Sequence, residues 1–170
     1  EYTYECVPKA DLSAYLIATI TDWEECHLLE GEANLYFNNT YIGKTILNPH
    51  LISDTLEISL GRDSDIVMKR IKAEEFTKKT FLGTNSIVEK SFRISVRNKK
   101  LSPVQLIITD QIPVSINESI TVTPVQLTNG LLNTENGSVR WDVALAEGES
   151  KEMMMNYSVK YPSREKVILE

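Results

Sequence analysis

The chain is expected to be all-β, an antiparallel β-sandwich whose C-terminal half resembles an immunoglobulin or fibronectin domain. Three observations predict this. Apolar and polar residues alternate with period two through most of the 170 positions. Clusters of Gly, Pro, Asn and Asp interrupt the alternation at short intervals, as turns do. The one helical candidate, Lys72–Lys79, is too short and too charged to carry an apolar stripe.

Taken in order, Ser13–Thr21 places Ala14, Leu16, Ala18 and Ile20 on one face. Leu35 and Phe37 begin a strand that Asn38-Asn39 turns back into Tyr41-Ile42-Gly43, a tight hairpin. Thr55–Leu60 turns Leu56, Ile58 and Leu60 inward, and Gly61 is expected to end that strand. Ser91–Arg97 buries Phe92, Ile94 and Val96 and leaves Ser91, Arg93, Ser95 and Arg97 in water. Ser138–Leu145 repeats the pattern with Val139, Trp141, Val143 and Leu145. Lys151–Tyr161 continues it with Met153, Met155, Tyr157, Val159 and Tyr161. One solvated face and one buried face is the signature of antiparallel pairing. A soft boundary near Phe81–Ser86 separates a β-rich part, 1–84, from an immunoglobulin-like part, 85–170. The first part is read as a subdomain or as the end of a larger upstream domain.

Composition narrows the function classes. The chain is 42% hydrophobic and 25% charged, which fits a folded domain and not a disordered one. A net charge of −6 argues against nucleic acid, which requires a basic surface. No apolar run approaches the ~20 residues a membrane helix needs. The chain opens at Glu1 without Met, so it is read as a piece of a longer polypeptide with its targeting signal upstream. Residues 1–80 carry the whole −6 and residues 81–170 sum to zero. The excess sits at Asp22, Glu24, Glu25, Glu30 and Glu32, a solvated edge more readily than a calcium site, since no ligand spacing is present.

Chemistry-bearing residues are few. Cys6 and Cys26 are either two buried small side chains or one disulfide, and nothing in their spacing decides. His27 and His50 are the two imidazoles. No nucleophile elbow, zinc helix, phosphate loop or dinucleotide fingerprint occurs. Asn-x-Ser/Thr triplets stand at Asn38, Asn117, Asn136 and Asn156, a frequency that chance explains as well as glycosylation does. Met153-Met154-Met155 alternates as gap-filling core and lacks a nearby His or Cys for copper. The candidate ligand or interaction residues are Trp23, Tyr36, Tyr41, Arg62, Asp63 and Asp110. The aromatics are candidates for stacking on sugar rings. Arg62 and Asp63 are expected to pair across a turn. Asp110 is expected to cap a turn before Pro113, with a catalytic acid as the sharper reading. In "VRNKK", Asn98 is expected in a left-handed turn with Lys99 and Lys100 keeping its tip soluble.

Longer strings carry a resemblance. "VPKADLSAYLIATITDWEECHLLEGEANLYFNNTYIGKT", "DTLEISLGRDSDIVMKR", "SVRNKKLSPVQLIITDQIPVS" and "GSVRWDVALAEGESKEMMMNYSVKYP" together resemble the C-terminal domain of unknown function in bacterial mucoidy inhibitor A-like proteins. The likeness runs from about Tyr4 to Pro162, with the "LLEGEANLYF" hairpin, "SLGRD" and "DQIPVS" as its most distinctive parts. It implies an exported protein of the cell envelope, common in Bacteroidetes, with no established reaction, and it transfers no catalytic residue. The expectation is therefore a non-catalytic envelope module, structural or protein-contacting, with no cofactor and no bound metal. Its partners would be envelope proteins or polysaccharide. Carbohydrate binding and an acidic-residue hydrolase are the alternatives, and edge-to-edge self-association through Ile87–Arg97 or Met153–Tyr161 is a third.

Overall fold

Alternation becomes a strand where one set of side chains finds a core, and the chain does this repeatedly. The computed structural model describes residues 1–21, 29–37, 39–47, 55–74, 79–165 and 167–168. Along them run β1 (Tyr2–Val7), β2 (Asp11–Thr21), β3 (Gly31–Phe37), β4 (Thr40–Leu47), β5 (Thr55–Lys72) and β6 (Lys79–Leu82). These are followed by β7 (Asn85–Asn98), β8 (Val104–Gln111), β9 (Thr121–Gln126), β10 (Leu131–Leu132), β11 (Ser138–Leu145) and β12 (Ser150–Pro162). The fold is all-β, as the alternation predicts.

Ten strands form one mixed, mostly antiparallel sheet in the order β10-β11-β8-β1-β2-β5-β7-β12-β9, with β6 beside β7. β3 and β4 form a separate hairpin. β1 pairs with β8 in parallel, Tyr4 opposite Leu106 and Cys6 opposite Ile108. Strands β1, β2 and β5, from before residue 84, thus form a block between later strands in one sheet, with β1 beside β8 and β5 beside β7.

The sheet is open, yet its two ends meet. β9 and β10 stand at opposite ends of the strand order but are joined by only four residues, 127–130. So short a link requires the sheet to fold round on itself, which produces a β-sandwich-like body. Two contacts fasten this seam. The Trp141 indole on β11 donates to the Leu127 carbonyl at 2.7 Å. Thr128 Oγ1 accepts from the Met154 amide at 2.9 Å. Gly130 is required here, because a Cβ on it would lie 2.6 Å from Trp141 Nε1.

The inward residues form a continuous core from Tyr4, Cys6, Ala14 and Leu16 through Ile66, Met68, Phe92 and Ile94 to Trp141, Met155 and Tyr157. Ile94, Leu106, Ile108, Leu145 and Met155 are fully enclosed, each worth roughly 1.5–3 kcal/mol of burial. The apolar faces read from the sequence for β7, β11 and β12 are the faces the structure buries, but Ser91, expected in water, is buried too and donates to Asn156 Oδ1.

Four expectations about strand ends, turns and edges require correction. Lys72 closes β5 and Lys79 opens β6, so the ends of the expected helix are strand; residues 75–78 lie outside the described residues. Gly61 does not stop a strand. β5 runs through it with φ +96°, near irregularities in the β2–β5 register that bend the pair. Asn98 has no left-handed backbone. It is buried, and its amide donates to the Ser102 and Ala146 carbonyls at 2.8 and 3.0 Å, tying the β7–β8 and β11–β12 connections together. Finally, β7 and β12 are interior strands with neighbours on both sides, so neither offers an edge for self-association.

Cys6 sits on the inward face of β1, a free buried thiol. Removal from water, with the Asp11 and Asp110 carboxylates nearby, pushes its pKa up to about 12. The folded state therefore holds the thiol proton more tightly than the unfolded chain, whose cysteine ionises near 8.5. The corresponding stability is complete below that pH and is lost as pH rises toward 12. In a Cys26→Ser background, Cys6 is expected to resist a disulfide-exchange reagent at pH 8 and to react fully once urea unfolds the chain. Rapid labelling of the folded protein would contradict this placement.

Candidate functional site

The residues named from the sequence fall into three places. Trp23 lies outside the described residues, as do His27, His50 and Cys26.

Arg62 and Asp63 are neighbours on β5, and a strand sends neighbours to opposite faces. They do not pair with each other. Asp63 turns toward β1, where its Oδ2 accepts from the Tyr4 hydroxyl at 2.6 Å and from Lys100 Nζ at 2.7 Å. Its Oδ1 accepts from the Asp65 amide at 2.9 Å. Burial alone would raise this carboxyl, but the Lys100, Tyr4 and Asp65 hydrogen bonds outweigh it and hold the pKa below the usual range. The bond to Asp63 correspondingly raises Lys100. Burial first, then the same carboxylate, raises Tyr4. On the other face Arg62 Nε donates to the Tyr15 hydroxyl at 2.9 Å and its Nη2 meets Asp11 Oδ2 at 3.1 Å. Tyr15 donates in turn to Asp11 Oδ2 at 2.8 Å. Asp11 is lowered chiefly by the Ser13 amide, then by Tyr15. The Asp63 cluster ties β5 to β1 and to the connection after β7, the Arg62 cluster ties it to β2, and a shallow cavity of about 360 Å³ lies beside them, lined by Leu12, Ser13 and residues 62–64 and 66–68.

The sign of the Asp63 effect gives a pH dependence. Its folded pKa lies below the unfolded value near 3.9, so its contribution is present above that pH and is lost as pH falls through the folded value. Asp63→Asn is expected to flatten the acid limb of the stability curve below pH ~4. Urea midpoints measured from pH 2 to 7 check this, and an unchanged limb would count against the cluster.

Asp110 is not the turn cap expected. It lies within β8, its side chain wholly buried and paired with Arg70 on β5. Arg70 Nε donates to Asp110 Oδ2 at 2.7 Å, and the guanidinium lies 3.9 Å from the centre of the Phe92 ring. The second carboxylate oxygen accepts from the Gln111 amide at 2.7 Å. A cavity of about 360 Å³ opens next to it, lined by Val7, Lys9, Ala10, Thr109, Gln111, Asn136 and Ser138. Arg70 escapes sequence reasoning because its partner lies forty residues away in the chain.

Tyr36 and Tyr41 come together as cross-strand partners on the β3–β4 hairpin. Their rings meet edge to face at 5.5 Å between centroids, and both are more than half or about half exposed. Phe37 on the opposite face reaches Tyr2 at 6.2 Å and packs on the core, anchoring the hairpin.

Among the described residues, no group of three or more His, Cys, Asp and Glu side chains converges as a metal site would. No helix in them is long and apolar enough to cross a membrane. Of the triplet asparagines, Asn156 is held in β12, its Oδ1 accepting from Ser91 Oγ and its amide donating to Gln126 at 3.2 Å.

A family model described as a domain of unknown function, DUF4139, matches residues 6–163. Protein F37C4.5 of Caenorhabditis elegans is 27% identical over 179 aligned positions, which cover 96% of this chain and 32% of the nematode protein. The chain thus spans about a third of that relative's length, and the similarity extends to an animal protein.

Proposed function

From the premise that this chain belongs to the DUF4139 family, we propose that it is a non-catalytic β-module that contacts other proteins in an extracytoplasmic, envelope setting. One observation carries the reading. The acidic candidates Asp63 and Asp110, with Asp11 beside Arg62, are each engaged by a cation and a further hydrogen-bond donor from the protein itself. Such closed clusters join strands, whereas a general acid at neutral pH needs a raised pKa, and Asp63 is lowered. The envelope setting rests on the family resemblance, and fractionation of cells carrying the intact parent protein tests it.

Two measurements test the reading. Cross-linking of the intact parent in its own envelope, followed by mass spectrometry, is expected to join this domain to other polypeptides. Glycosidase, esterase and protease panels are expected to show no turnover. Specific turnover abolished by Asp63→Asn or Asp110→Asn would overturn the reading, as would a domain that cross-links to no protein.

The exposed Tyr36–Tyr41 pair favours a second reading, polysaccharide binding by ring stacking. Glycan-array signal that falls at least tenfold in Tyr36→Ala and Tyr41→Ala would support it, and a silent array would remove it.

A further inference from the structure

The seam where the sheet's two ends meet is closed at one end by residues 127–130 and open at the other. In its open part lies a groove of about 320 Å³ lined by both terminal strands, Thr121, Val122 and Pro124 of β9 and Leu132 of β10, with Ile112 and Val114 from the segment after β8. Every residue lining it is uncharged, in a chain in which a quarter of residues are charged. The edge strands are equally bare, since Thr121–Gln126 and Leu131–Leu132 contain no Lys, Arg, Asp or Glu. Natural edge strands are normally guarded by charge; here only Pro124 serves, and it leaves the stretch Thr121–Thr123 free of proline. Val114, which lines the groove, is 51% exposed, and Val125 on β9 and Leu131 on β10 stand in water on the strands' other face.

We propose that this groove receives an extended, uncharged segment of another polypeptide, which adds to β9 as a strand and places alternate apolar side chains against Val122, Leu132 and Ile112. The chemistry selects that occupant. An open strand edge offers amides and carbonyls at a spacing that another extended backbone satisfies. The period of two then sends every second side chain into the groove. The neutral, apolar lining disfavours a charged side chain there, because it would be desolvated without a partner. The inference rests on the protein-contact reading above and supplies its site and partner chemistry.

The probe is a phage-displayed library of linear heptapeptides selected on the immobilised chain, followed by a fluorescein-labelled synthetic peptide of the enriched sequence. Enriched sequences are expected to lack charge and to repeat apolar residues at alternate positions. Val114→Lys and Thr121→Lys, both at exposed positions, are expected to weaken binding at least tenfold while melting normally, and Ile46→Lys on the distant hairpin is expected to leave it unchanged. Methylating alternate peptide amides in one register should weaken binding tenfold, and the other register should not, the signature of edge pairing. The proposal is overturned by no enrichment, by charged consensus sequences, by binding indifferent to both variants, or by indifference to methylation in either register. A dimer of the chain that Thr121→Lys dissociates would also overturn it, by making a second copy the occupant. Envelope cross-links to other proteins that avoid β9 and β10 would defeat this site and leave the protein-contact reading standing.

Discussion

Arg70→Met is expected to destabilise the fold by about 3–5 kcal/mol, because it strands the Asp110 carboxylate inside the core. Asp110 has no exposed side-chain surface and Arg70 only 11%, so water cannot replace the lost guanidinium. The variant also loses the cation's contact with the Phe92 ring. The double variant Arg70→Met/Asp110→Asn removes the charge while keeping an acceptor for the Gln111 amide, and it is expected to recover more than half of the loss. Urea unfolding followed by tryptophan fluorescence measures both. A single variant within 1 kcal/mol of the parent would show that Asp110 finds another partner.

Gly137→Ala is the second large effect. Gly137 has φ +74°, and a Cβ there would sit 2.2 Å from the Ile112 carbonyl oxygen and 2.8 Å from Val114 Cγ2. The left-handed backbone costs an alanine ~1–2 kcal/mol, and forcing the neighbours apart adds ~1–3 kcal/mol. The clash is with backbone that is itself fixed, since Ile112 donates to the Gly137 carbonyl at 2.9 Å and Gly137 donates to Asn133 at 2.8 Å. A total near 3–4 kcal/mol is expected. Gly148→Ala is the control, with φ +67° but open space around the new methyl, and only the backbone part of the cost should appear. Equal losses in the two variants would mean that the close approach at Gly137 relaxes freely.

Strand faces were readable because the signal is local. The alternation of Phe92, Ile94 and Val96, or of Val139, Trp141, Val143 and Leu145, requires only that some core exists on one side. Partners were not readable, since pairing depends on groups distant in the chain. Nothing near Asp110 points to Arg70, forty residues earlier. A signal for its burial was nevertheless present. Asp110 continues the inward series Val104, Leu106 and Ile108, so the period of two places it in the core, and a buried acid demands a cation. The competing turn chemistry of "DQIPVS" masked that. Gly61 misled in the same way, because a glycine inside a bent strand and one after a finished strand look alike until the neighbouring strand is known. The hairpin that pairs Tyr36 with Tyr41 was legible because its two strands adjoin in the chain.

The position of β1 has a consequence for how the molecule is made. Its slot between β2 and β8 is completed only when Leu106–Ile108 have been synthesised, a hundred residues after Tyr4. At ribosomal speeds of ~5–20 residues per second, β1 waits on the order of 5–20 s with one hydrogen-bonding side vacant. During that interval β1 has β2 as its only strand partner, and its period of greatest vulnerability to mispairing falls before β8 emerges.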